Sequence, residues 1–145
     1  MKRTFFIILN AMVCNYAIAQ NFHKGSVLIQ YDDRSKPMHS NSNKLMNVYF
    51  DSGFNDSLEV YINNKLVKKD FFKTNHILST TGKSITVKMS DKLPPKILTV
   101  KDITTKESLE IMLDWRYKTF EIHKSIYRDD TCWLTIYTNE IIEME

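Results

Sequence analysis

Glycine and proline are scarce in this chain, three of each in 145 residues, and no low-complexity tract or internal repeat is present. Turns must therefore be made by Asn, Asp, Ser and Lys. There is no Gly-x-Ser-x-Gly elbow and no His-Glu-x-x-His pair, which removes the local signatures of a serine-hydrolase nucleophile and of a zincin helix. No His/Cys pair is closely spaced, so no zinc site is written in any short stretch. Positive charge is not clustered either. Lys68-Lys69 is one of few basic pairs, far short of the footprint that nucleic acid requires, and no nucleic-acid partner is expected.

The longest apolar stretch is at the start. Lys2 and Arg3 precede Phe5 to Leu9 and Ala11 to Val13, a segment shorter than the roughly 20 residues of a membrane-spanning helix. Ala17-Ile18-Ala19 follows with small residues two apart, the pattern of a signal-peptidase site. The reading is a signal peptide over residues 1–19, cleavage after Ala19, and a secreted or periplasmic chain with no membrane span once processed. A lipid-anchored alternative would use Cys14, but Val13 and Ala11 occupy the places where a lipobox wants a small residue and a leucine. Processing removes Lys2 and Arg3 and no acid. The 20 basic residues become 18 against 17 acidic ones, a net charge of +1, in a single domain over residues 20–145.

What remains is strand. Ser26–Tyr31, Leu45–Phe50 and Ser84–Met89 show the period-two alternation of half-buried strands. Ser57–Phe72 reads as a hairpin about Asn63-Asn64, since Asn tolerates the positive φ of tight turns. Leu58, Val60 and Ile62 share one face of its first arm, with Glu59 and Tyr61 on the other. Pro94-Pro95 marks a place where the chain crosses between sheets. Three alternating runs follow, containing Leu109/Ile111/Leu113, Phe120/Ile122 and Thr131–Thr138. About seven to nine strands without intervening helices predict an all-β chain, an antiparallel β-sandwich, with a barrel as the second choice.

The leader ending Ala-Ile-Ala-Gln, the Asn/Lys-rich loops and the hairpin Glu59–Val67 resemble small secreted β-sandwich proteins of Gram-negative bacteria. Those have immunoglobulin-like or transthyretin-like architecture. The resemblance covers the style of the chain, carries no diagnostic motif and implies no activity.

Candidate chemistry is sparse. Asp51, Asn55 and Asp56, with Gly53 between them, place oxygen ligands in one short loop. That is a calcium-type arrangement, although it lacks the later glutamate of an EF-hand and equally suits an ordinary connection. His23, His39, His76 and His123 have no motif around them. Cys132 could act as a nucleophile if His123 lay beside it on the same face. Glu110 and Glu121 are a candidate carboxylate pair.

On the final strand Trp133 and Tyr137 share a face opposite Cys132, Leu134 and Ile136, and Tyr61 faces away from Val60 and Ile62. Tyr61, Trp133 and Tyr137 are thus the candidate contacts for a protein or glycan partner, with the core as the competing place for Trp133. Open sheet edges and the tail Asn139–Glu145 offer a second way to bind. The function expected is a secreted or periplasmic non-catalytic binding module. The alternative is a small secreted enzyme using Cys132 or the glutamate pair.

Overall fold

The computed structural model describes residues 22–32, 36–37, 44–127 and 130–139. The leader with Cys14, His39 and the tail from residue 140 onward lie outside that set. Ten strands follow one another: β1 (His23–Lys24), β2 (Ser26–Tyr31), β3 (Lys44–Phe50), β4 (Asn55–Ile62), β5 (Lys65–Lys73), β6 (Lys83–Met89), β7 (Lys96–Asp102), β8 (Glu107–Leu113), β9 (Thr119–Tyr127) and β10 (Asp130–Thr138). They form two five-stranded sheets, β1-β8-β7-β4-β5 and β2-β10-β9-β3-β6, packed as a β-sandwich. Among the described residues no helix is long and apolar enough to cross a membrane.

Local chemistry explains most of the path. Asn63 and Asn64 both hold positive φ (48° and 65°) and close the β4–β5 hairpin. Paired positive φ values let a two-residue turn follow the twist of its strands. The Pro94-Pro95 step lies between β6 of one sheet and β7 of the other, where the chain changes layers. Alternation then fills the interior. Val48, Phe50, Leu58, Val60, Leu98, Val100, Leu109, Phe120 and Ile122 are all fully buried between the sheets. Burial of such side chains contributes about 1.5–3 kcal/mol each relative to exposure.

Two expectations need correction. The sheets are not wholly antiparallel: β1–β8, β2–β10 and β3–β9 run parallel. A parallel pair cannot be closed by a hairpin, and each of these pairs joins strands distant in sequence. Among the described residues the strand count is ten because a two-residue strand, β1, precedes the expected first run across Gly25, with β1 on one sheet and β2 on the other. The division depends on glycine. A Cβ at residue 25 would stand 2.5 Å from Trp133 Nε1 and 2.6 Å from its Cδ1.

The interior also holds a charge. Lys124 departs from the apolar pattern of β9 and sits on its inner face, with only 4% of its side chain exposed. Its ammonium donates to Asp56 Oδ2 of β4 at 3.0 Å and to Asp102 Oδ2 of β7, tying the sheets together. Burial alone would pull the Lys124 pKa down. The hydrogen bonds to Asp102 and Asp56 outweigh it and hold the pKa above the ordinary 10.5.

Candidate functional site

Trp133 and Tyr137 belong to the core and not to a binding surface, with 0% and 1% exposure. Trp133 packs 6.1 Å from the Phe54 ring, and Tyr137 packs 4.6 Å from Phe120. Their face of β10 is the inward one, which leaves the smaller Cys132, Leu134 and Ile136 half-buried outside. Tyr61 does lie on the outer face of its sheet. Its hydroxyl donates to Glu59 Oε2 at 2.6 Å, and Lys101 Nζ stands 4.9 Å from its ring centre.

The calcium-type loop does not gather its three residues. Asp56 is turned inward onto Lys124, Asn55 opens β4 on the exposed side, and Asp51 faces β9. The loop instead works as a strap. Asp51 N donates to Ile122 O and Lys124 N donates to Ser52 O, each at 2.9 Å. Gly53 at φ +86° lies so close that a Cβ would fall 1.6 Å from Lys124 O.

Neither enzyme-type set is assembled. His123 is opposite Leu134, and Cys132 is opposite Ser125. The two share the outer face but are one pair out of step, and the His123 ring nitrogens face Ser52, Asp51 and Glu121. Glu110 and Glu121 are on the outer faces of different sheets, with Glu110 beside Lys24 at 3.6 Å.

The edges differ sharply from one another. On one flank β5 carries Lys65, Lys68, Lys69 and Lys73, and β6 carries Lys83 and Lys88. Lysines also close the gap between them: Lys83 Nζ reaches Asp70 Oδ2 at 2.5 Å, and Lys68 Nζ donates to Ser84 O at 3.3 Å. Charged edges of this kind resist pairing with another chain. On the other flank β2 reads Ser-Val-Leu-Ile-Gln-Tyr, with no charge and no proline.

All six β2 residues are exposed. Its register with β10 sets Val27 beside Trp133 and Tyr31 beside Tyr137, so Val27, Ile29 and Tyr31 point toward the interior side. They are nevertheless 39%, 44% and 48% exposed, because β1 ends at Lys24 and does not extend over them. Leu28, on the outward side, is 51% exposed. Tyr31 then stacks on Tyr137 with centroids 5.2 Å apart and forms one wall of a groove of about 680 Å³. Pro94, Met112, Trp115 and Arg116 form other parts of that wall.

A separate cluster sits on the outer face of the second sheet. The parallel β3–β9 register pairs Tyr49 with Glu121 and Phe50 with Ile122, which carries Asp51 alongside His123. His123 Nε2 is 3.5 Å from Glu121 Oε2 and 3.8 Å from Asp51 Oδ2. Nδ1 of the same ring is 2.9 Å from Ser52 Oγ, and Thr80 Oγ1 donates to Asp51 Oδ1 at 2.9 Å. Burial pushes the Asp51 carboxyl above its ordinary 3.8; the Thr80 hydroxyl pulls it back and Glu121 pushes it further up. These residues are scattered over residues 51–123, so no local motif announces them. The only signal in the sequence was His123 and Glu121 two apart on one face of a strand.

No family model matches the chain, and no curated protein or solved structure matches it.

Proposed function

We propose that this chain is an exported, non-catalytic protein-binding module that accepts an extended segment of a partner protein along β2. The observation that carries the reading is that no strand among the described residues covers that edge. It is apolar, uncharged and exposed on both faces, in a sandwich whose opposite flank is guarded by lysines. An edge strand presents unpaired N–H and C=O groups, so a partner strand gains main-chain hydrogen bonds there, with side-chain contacts supplying selectivity. Val27, Ile29 and Tyr31 would be covered by the same event. Export rests on residues 1–19, with their basic start, short apolar run and Ala-x-Ala site.

A protein strand suits this edge better than a glycan does. Sugar rings are gripped on flat aromatic faces, and the single aromatic of β2, Tyr31, is already stacked on Tyr137. Photo-crosslinkers placed singly at Leu28 and Ile29, on opposite faces of β2, test the reading in the cells of origin. Ile77 and Leu78, exposed on the β5–β6 connection, are the controls. One discrete heterologous adduct from both β2 positions, and none from the controls, is the expected result. No adduct at β2, or equal yields at all four positions, would overturn it. An adduct of two copies of this chain would replace the partner protein with self-association.

A further inference from the structure

We propose that Asp51, Glu121 and His123 form a binding site for one divalent transition-metal cation of the Zn²⁺ type, with three ligands supplied by the protein. This site is independent of the strand-docking edge. It uses none of the histidine or cysteine spacings by which zinc sites are usually read from sequence.

The first argument is distance. Ligand atoms about 2.1 Å from a tetrahedral ion lie about 3.4 Å from one another. His123 Nε2 is 3.5 Å and 3.8 Å from the two carboxylate oxygens, and one ligand atom from each residue lies within 4.8 Å of the others. Only a small closing movement would be needed to grip an ion.

The second argument is the unsatisfied imidazole nitrogen. His123 Nε2 is buried and has no hydrogen-bond partner among the described residues. With its proton on Nε2, the ring would face its nearest acceptor across 3.5 Å, beyond the usual 2.7–3.2 Å of N–H···O. With its proton on Nδ1, the ring donates to Ser52 Oγ, and the Nε2 lone pair faces two carboxylates. Three electron-rich atoms turned toward one point repel one another, and a cation at that point would relieve the repulsion.

The third argument is the surrounding shell. A metal-binding histidine donates its other ring N–H to a nearby acceptor, and ligating carboxylates are themselves hydrogen-bonded. Ser52 stands in the first role. Thr80 stands in the second, bonded to Asp51 Oδ1 while Oδ2 is the oxygen turned to His123. One nitrogen and two carboxylates suit a borderline ion such as Zn²⁺. Ca²⁺ takes six to eight oxygen ligands, which this set does not offer. Three protein ligands leave the fourth tetrahedral position open.

The test is calorimetric titration of ZnCl₂ into the purified protein after chelator treatment, with Co²⁺ visible absorption as a second reading of coordination. One saturable site per chain is expected. Asp51→Asn, Glu121→Gln and His123→Gln should each weaken it by at least about tenfold, and Ser52→Ala by about tenfold. His23→Gln and His76→Gln should leave it unchanged. Should a ligand variant misfold, the ¹⁵N shifts of His123 in the unaltered protein decide: a Zn²⁺-induced change centred on Nε2 supports the site. Affinity that persists in all three ligand variants would place the metal on exposed histidines and overturn the proposal. So would the absence of saturable binding, which would leave only an ion-paired histidine.

Discussion

Lys124 of β9 and Asp102 of β7 meet in the interior between the two sheets, and Asp102 does two things at once. Its Oδ2 accepts from the Lys124 ammonium. Its Oδ1 accepts from the backbone N–H of Thr104 and Thr105, at 2.8 and 3.0 Å, and so shapes the β7–β8 turn. With both oxygens engaged, neither side of this buried carboxylate is left without a hydrogen-bond donor.

Lys124→Met is expected to cost about 3–5 kcal/mol, because it strands two buried carboxylates without a cation. Adding Asp102→Asn should restore part of the loss, since Asn keeps the oxygen that serves Thr104 and Thr105 while removing a charge. Urea denaturation of the single and double variants checks this. Equal instability in both would mean that the charge stranded on Asp102 is not what carries the cost.

Stability should fall as pH rises above 10. Lys124 holds its proton more tightly folded than unfolded, so its contribution is whole below 10.5 and is lost as pH climbs through the folded value. Tyr137 acts in the same direction. Burial raises its phenol above the ordinary 10.0, so the unfolded chain ionises first. Denaturation midpoints measured between about pH 8 and pH 11 should drop steeply at the upper end. Lys124→Met and Tyr137→Phe should each flatten the slope, and an unchanged slope in both would show that other groups govern it.

Gly53→Ala is expected to cost about 3 kcal/mol or more. The new Cβ would have to enter the space of Lys124 O, at a φ that residues with a side chain avoid. The strap over β9 would lift, and Asp51 would leave His123 with it. Thermal melting gives the cost. A change below about 0.5 kcal/mol would show that the strap is dispensable.

Much of the architecture was legible because alternation is a property of each strand by itself. The hairpin about Asn63-Asn64, the crossing at Pro94-Pro95 and the shared faces of β4, β8 and β10 all follow from local chemistry. Alternation does not say which face turns inward when both are apolar. On β10 one face carries Trp133 and Tyr137, the other Cys132, Leu134 and Ile136; the larger pair fills the core. Lys124 was hidden for a related reason, since its buried partners come from β4 and β7. The Asp51–Glu121–His123 cluster depends on a parallel register between β3 and β9, which no short-range pattern encodes.

The seam between β2 and β10 has a consequence in time. Thr135 Oγ1 donates to Leu28 O across 107 residues of chain, and the whole parallel ladder from Ser26 to Tyr31 spans a similar distance. Contacts that remote are slow to form, because the closure entropy of the intervening chain must be met before they give anything back. On a ribosome, β2 would emerge early and wait, uncharged and unpaired, until residues 130–138 had followed. The interval before the seam closes is when this chain is most exposed to wrong pairing, and a chaperone that shields β2 would have its effect then.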